Sequence, residues 1–403
     1  MAFWHPPERL TPTRYTAHVR PIVFFYPSRI LGGTEVLFTR LAAHLHAQHM
    51  LEVSVVDHAD GVVISGLTGT CVQRLEMGEV PRDACLVVPV SHVRHACRSM
   101  RMQPDTRLML WGLHPHNLRW LFPGHELWRF LTDAQLPNTL RLMYPRAYRA
   151  VRNSLNLSLK HGGLAVMDGE NHRALQEAFK LDGVVPYLPI PLPEAPDFAI
   201  THGSRLVWLG RISEDKICAL ERVLNDAEAY AQMRQTRIEV DVIGSGPSIT
   251  RLHKAARRWP DLNLRLLGTL TGQALENHLR CAAQVVFAMG TSLLEAARLG
   301  LPAVLVDVSF EPLPEGLPFR WAFQIEDFTL GQLVSRCHPP TQGVRFPEIM
   351  HALSNATERE RIARACHAHV KTHHSITNIG ARAAQLFESS QLRVSMLRQT
   401  GLF

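Results

Sequence analysis

Short apolar runs alternate along most of the chain with longer stretches in which apolar positions recur every three or four residues. The first pattern marks buried strands and the second marks helices with one apolar face. Their alternation predicts an α/β fold with parallel sheets, because two parallel strands need a crossover long enough to hold a helix. In the first half, strands are predicted at Ile22–Tyr26, Glu52–Asp57, Cys85–Val90, Arg107–Trp111 and Gly163–Met167, with a helix over Glu35–Gln48. Between the last two strands, Pro115–Lys160 is rich in aromatics and arginine. It reads as helix in pieces, interrupted by Pro123, Pro137 and Pro145.

The run Pro186–Pro196 holds five prolines in eleven residues and reads as an extended linker between domains. After it the alternation restarts. Strands are predicted at Leu206–Leu209, Ile238–Ile243, Leu262–Leu267, Gln284–Ala288 and Ala303–Val306. Helices are predicted at Asp215–Gln232, Pro247–Trp259, Gly272–Arg280 and Leu293–Leu299, which makes the second half a Rossmann-like domain.

Composition narrows the class. The chain has 403 residues, 46% of them hydrophobic and 20% charged, which suits two domains with real cores and excludes wholesale disorder. No stretch approaches the ~18–20 apolar residues of a membrane span. The opening residues Met1–Pro7 lack the pattern of a secretory signal, so the cytoplasm is the expected compartment. Seven scattered cysteines without a C-x-x-C pair point to reduced thiols and no structural zinc. The net charge of +7 suits an anionic small molecule, a membrane surface or nucleic acid. Nucleic acid is disfavoured, since the first 196 residues carry 20 basic and 16 acidic side chains and concentrate no basic domain.

Three glycine-bearing turns fall where a strand hands over to a helix, a position suited to anions. Gly32-Gly33 follows the first strand. Gly210-Arg211-Ile212-Ser213-Glu214-Asp215-Lys216 follows strand Leu206–Leu209, and it sets two cations beside a helix N-terminus. The macrodipole disfavours cations there unless an anion joins them, and arginine with lysine is common chemistry for a diphosphate. Glu214 and Asp215 could instead pair with them. The third turn, Gly290-Thr291-Ser292, opens a helix in which Glu295 stands among apolar neighbours, able to accept from a ribose diol or to face solvent.

The order of these features, with Gly244-Ser245-Gly246 two elements after Arg211 and Leu293–Pro302 reading L-L-E-A-A-R-L-G-L-P, resembles the GT-B fold glycosyltransferases, most closely the family-4 retaining enzymes. The resemblance covers most of residues 20–310. It implies two Rossmann-like domains with parallel sheets facing a central cleft: an acceptor-side domain at 1–190 and a nucleotide-sugar-binding domain at 197–370. The closing helices, about 375–397, would pack back on the first domain.

The implied reaction moves a hexose-type sugar from a nucleotide-diphosphate sugar to a hydroxyl of a glycan or lipid-linked glycan, with retention. Its setting would be bacterial surface polysaccharide assembly at the inner face of the cytoplasmic membrane. No cofactor and no metal are implied, the nucleotide sugar being the donor substrate. Arg211 and Lys216 would bind the diphosphate and Glu295 the ribose, with Gly32, Gly33, Gly210, Gly244, Gly290, Thr291 and Ser292 lining the donor. His114 resembles the family's histidine near the donor sugar and acceptor. Other readings are a nucleotide-sugar epimerase of the same fold and a non-catalytic nucleotide- or partner-binding member.

The family's first carboxylate, eight positions before Glu295, is replaced by Phe287. Asp168, before Gly169 at a strand end, is a further cleft candidate or an ordinary turn residue. His369 and His373 have helical spacing but read as a solvated face. The acid-free segment Arg141–Arg152 reads as a solvated basic face or as a seat for anionic lipid or a lipid diphosphate.

Overall fold

The computed structural model describes residues 20–30, 32–49, 51–122 and 136–402. It contains two six-stranded sheets. The first comprises β1 (Ile22–Phe25), β2 (Val53–Val56), β3 (Gln73–Leu75), β4 (Cys85–Pro89), β5 (Arg107–Gly112) and β6 (Leu164–Val166), in the order β3-β2-β1-β4-β5-β6. All of its pairs are parallel.

The second comprises β7 (Arg205–Leu209), β8 (Ile238–Ile243), β9 (Leu262–Gly268), β10 (Ala283–Ala288), β11 (Ala303–Leu305) and β12 (Arg320–Trp321), in the order β12-β11-β10-β7-β8-β9. Its short edge strand β12 runs antiparallel to β11, an exception to the all-parallel expectation. Each sheet reverses its winding once, at β1/β4 and at β7/β10, the crevices where ligands of doubly wound sheets lie.

Parallel strands are buried on both faces, which is why they read as unbroken apolar runs. Along β1 the side chains alternate between two cores. Val23 and Phe25 join one, and Ile22 and Phe24 join the other. The Phe24 core is closed by α1 (Gly33–His49) and α13 (Ile376–Ser389), which supplies Ile379, Ala383 and Phe387. The C-terminal α13 therefore packs on the first sheet. The pieces of Pro115–Lys160 include α4 (Leu136–Met143) and α5 (Pro145–Lys160); residues 123–135 of that segment lie outside the described residues.

The proline run is extended but is not a free tether. Leu188 and Leu192 are fully buried, and Leu192 forms a parallel bridge with Ser375. The Leu192 amide donates to the His374 carbonyl (2.7 Å) and the Ile376 amide to the Leu192 carbonyl (2.8 Å). The two crossings between the sheets are thus hydrogen-bonded to each other. His369 and His373 lie at this junction and not on a solvated face. Their rings are 4.8 Å apart, and His369 is 6.0 Å from His374, on α12 (Ala356–His373) and its C-cap. Burial is the chief cause holding His369 down to about 3 and His374 down to about 4.

Candidate active site

Two turns of the second domain are built against each other. After β7, Gly210–Ser213 leads into α7 (Glu214–Arg234); after β8, Gly244-Ser245-Gly246 leads towards α8 (Ile249–Ala255). The Gly210 amide donates to the Ile243 carbonyl (3.0 Å), and the Ile212 amide to the Ser245 carbonyl (2.9 Å). A Cβ at Gly244, whose φ is 144°, would stand 2.0 Å from the Gly210 carbonyl oxygen. At Gly246 it would stand 2.4 Å from that of Ile212. Only glycine allows this backbone-to-backbone packing. It fixes where Arg211 leaves the sheet, with its side chain exposed.

Lys216 sits in the first turn of α7, its amide donating to the Ser213 carbonyl (3.0 Å). Burial pulls its ammonium below the usual range, Asp215 opposes that, and Arg211 adds to it. An anion bound here would reverse the penalty by giving the charged form a partner.

The neighbouring strand brings the third turn alongside. β10 pairs with β7, so its end lies next to Gly210. The connection to α10 (Thr291–Arg298) is only Met289 and Gly290, with φ 60° at Gly290 and its amide bonded to the Leu330 carbonyl (2.7 Å). Thr291 and Ser292 open the helix. Position 287 lies inside β10, fully buried, with its ring stacked on Phe346 at 5.7 Å. Phe287 therefore belongs to the core of the second domain, where its ring also meets Phe319 edge-on at 5.4 Å.

The first domain meets α10 from across the cleft. A Cβ on Gly33 would lie 3.8 Å from Thr291 Oγ1, so the Gly32-Gly33 turn faces the start of α10. Glu295 is partly buried and holds two arginines. Its Oε1 accepts from Arg40 Nη2 (2.7 Å) on α1, and its Oε2 from Arg298 Nε (3.0 Å), which is also bonded to Glu276. Arg40 Nη1 is buried and has no hydrogen-bond partner.

Sequence reasoning missed Arg40 and also Glu35. Glu35 is buried in the first turn of α1, accepting from Ser28 Oγ (2.7 Å), and a Cβ on Gly32 would fall 2.9 Å from its Oε2. Both lie on the helix that the glycine pair opens, Glu35 within its first turn and Arg40 about two turns in, and that placement was the available signal.

His114 is exposed just beyond β5 and borders a small cavity with Ser91 and Asn171. In sheet order β5 is two strands from β1, so the structure sets His114 beside the β4 and β6 ends. Asp168 is the N-cap of α6 (Gly169–Phe179), accepting from the Asn171 amide (2.8 Å) and Nδ2 (2.7 Å), with burial raising its carboxyl. It closes its own helix, the turn role open to an Asp before Gly. The next residue makes a second bridge between the domains, the Gly169 amide donating to the Asp327 carbonyl (2.8 Å). No group of three or more metal-ligating side chains occurs among the described residues, and no described helix is long and apolar enough to cross a membrane.

No protein-family model and no curated protein matches the chain. Solved structures do. Anabaena HepE, in complex with UDP, aligns over 92% of this chain and 100% of its own with a TM-score of 0.58 at 12% identity. A glycosyltransferase from Rickettsia africae aligns over 92% and 98% with a TM-score of 0.56 at 10% identity. An alpha-glucosyltransferase bound to UDP and DNA aligns over 92% and 99% with a TM-score of 0.52 at 10% identity. At these identities the likeness is one of architecture: the chain has the two-domain α/β GT-B fold of these glycosyltransferases.

Proposed function

We propose that the chain is a glycosyltransferase that moves a hexose-type sugar from a nucleotide-diphosphate sugar to a hydroxyl of a glycan or lipid-linked glycan, with retention. The observation that carries this reading is the convergence at one crevice. The turns after β7, β8 and β10 lie side by side, bearing Arg211, Lys216 and the start of α10, and the Gly32-Gly33 turn faces them from the other domain. Backbone amides, helix N-termini and two cations at the carboxyl ends of adjacent strands suit a diphosphate.

In this reading negative charge grows on the diphosphate as the glycosidic bond breaks, and Arg211 and Lys216 stabilise it. The leaving group's charge is met by these groups, which is the support for metal independence. Each carboxylate oxygen of Glu295 has lone pairs beyond the one its arginine uses, so the ribose hydroxyls can still donate to it. Arg40 Nη1, a buried donor without a partner, is a further contact for the nucleotide. His114 borders the acceptor side and assists the proton leaving the acceptor hydroxyl. We place the setting in surface polysaccharide assembly, on the cytoplasmic side.

Incubation with a panel of nucleotide sugars and candidate acceptors tests the proposal. Acceptor-dependent release of nucleoside diphosphate supports it. Interconversion of donors would show an epimerase instead. Binding without turnover, a reading motivated by the absence of the carboxylate at Phe287, would show a non-catalytic member.

A further inference from the structure

We propose that the elbow between α4 and α5 is a seat for the phosphate-bearing headgroups of an anionic lipid bilayer. A cavity of about 380 Å³ opens there, lined by Arg141, Arg149, Arg152 and Lys180 around Tyr148 and Phe179. No carboxylate of a described residue lines it, and none of the four cations forms an ion pair with another described residue. Arg149 Nε bonds only the Pro145 carbonyl (3.2 Å), while Arg152 Nε is buried with no partner at all. Converging like charges without an acid are unfavourable by themselves, and a buried donor left unpaired costs more. An anionic oxygen in the cavity relieves both.

The elbow's own apolar residues choose the source of that anion. Leu142 is 82% exposed and Met143 62% exposed, directly after Arg141 at the end of α4. Apolar side chains standing out beside a cluster of arginines are what an interfacial surface presents, the first entering the acyl boundary and the second meeting the headgroups. A soluble phosphate would use the cations and leave Leu142 and Met143 idle. The seat is also separate from the donor crevice. α6 starts at the cleft end of β6 and reaches the cavity at its far end, ~16 Å away for eleven residues. There Tyr148 Oη donates to the Ala178 carbonyl (2.7 Å) and ties α5 to it.

The test uses the whole chain in co-sedimentation with vesicles of phosphatidylcholine alone or mixed with phosphatidylglycerol. It reads binding without any sugar donor, so its result is independent of the transfer reaction. The expected result is binding to the mixed vesicles only, weakening with salt. The double variant R141Q/R149Q should lower the partition constant ~30-fold. L142S/M143S should lower it at least several-fold, with the melting temperature of both variants unchanged. Equal binding to neutral vesicles, or no loss in R141Q/R149Q, overturns the proposal. So does stabilisation by inorganic phosphate that R149Q abolishes in a protein that ignores vesicles, since that outcome assigns the cavity to a soluble anion.

Discussion

Arg40 of the first domain and Glu295 of the second meet across the cleft at 2.7 Å, Nη2 to Oε1, with about a quarter or less of each side chain exposed (27% and 19%). The carboxylate proposed to meet the donor ribose is thus held from both sides, by Arg298 one turn along its own helix and by an arginine from the opposite domain. This ion pair both fixes the carboxylate and joins the two domains. Its removal is expected to act on donor binding and not on the chemical step. E295Q should raise the donor KM with little change in kcat, because ribose hydroxyls gain no charge in the transition state. R40A should do the same to a smaller extent. The double variant should fall short of the sum by about 1 kcal/mol, the signature of residues in contact. A cycle of the four proteins, read by donor KM, checks this, and independence of the two effects would contradict it.

The cations at the start of α7 should behave in the opposite way. R211A and K216A are each expected to lower kcat by about 10²–10³, since charge on a departing diphosphate grows as the bond breaks. Steady-state kinetics on folded variants decides it. Near-full turnover would move the diphosphate elsewhere.

Gly244 predicts a structural failure with a functional readout. At φ 144°, with its added Cβ 2.0 Å from the Gly210 carbonyl, G244A must push the Arg211 turn out of place. We expect a loss of about 2 kcal/mol or more in stability together with weakened nucleotide binding. Alanine at Gly69, whose φ is 85° but around which a Cβ meets nothing within 4 Å, is the control: some strain and intact nucleotide affinity. Denaturant unfolding and calorimetric titration with a nucleoside diphosphate report the two quantities.

Acid should loosen the junction between the domains. His374 and His369 are held near 4 and 3 by burial, below the ordinary histidine value, so the unfolded chain binds protons that the folded chain refuses. Stability is then highest above about pH 6.5 and is lost as pH falls towards 4, by about 1.4 kcal/mol per unit for each such histidine. Unfolding free energies measured between pH 7 and 4.5 should show this slope, and H369L should flatten it. An unchanged slope in H369L would remove that histidine from the account.

The sequence by itself determined the two sheets and the chemistry at their edges. Buried parallel strands must be apolar on both faces, so β1, β4, β8 and β10 were visible as apolar runs to within a residue or two. The glycines at 210, 244 and 290 and the cations at 211 and 216 were visible because only special residue types serve those turns. Short edge elements were not: β3 and β12 are two or three residues long and carry no periodic signal.

Tertiary structure alone decided which turns share the crevice. That depends on β10 pairing with β7, a contact between residues about eighty positions apart. It also decided that Arg40 would find Glu295, 255 positions away, since no local pattern ties an arginine on α1 to a helix of the other domain. The same holds at the junction. His369 and His373 have the spacing of an exposed helical face, but in the folded chain the His374 ring lies against His369 and the Phe328 ring against His373. Periodicity records which side of an element is buried against its neighbours in general; which neighbour arrives is set by the packing of the whole chain.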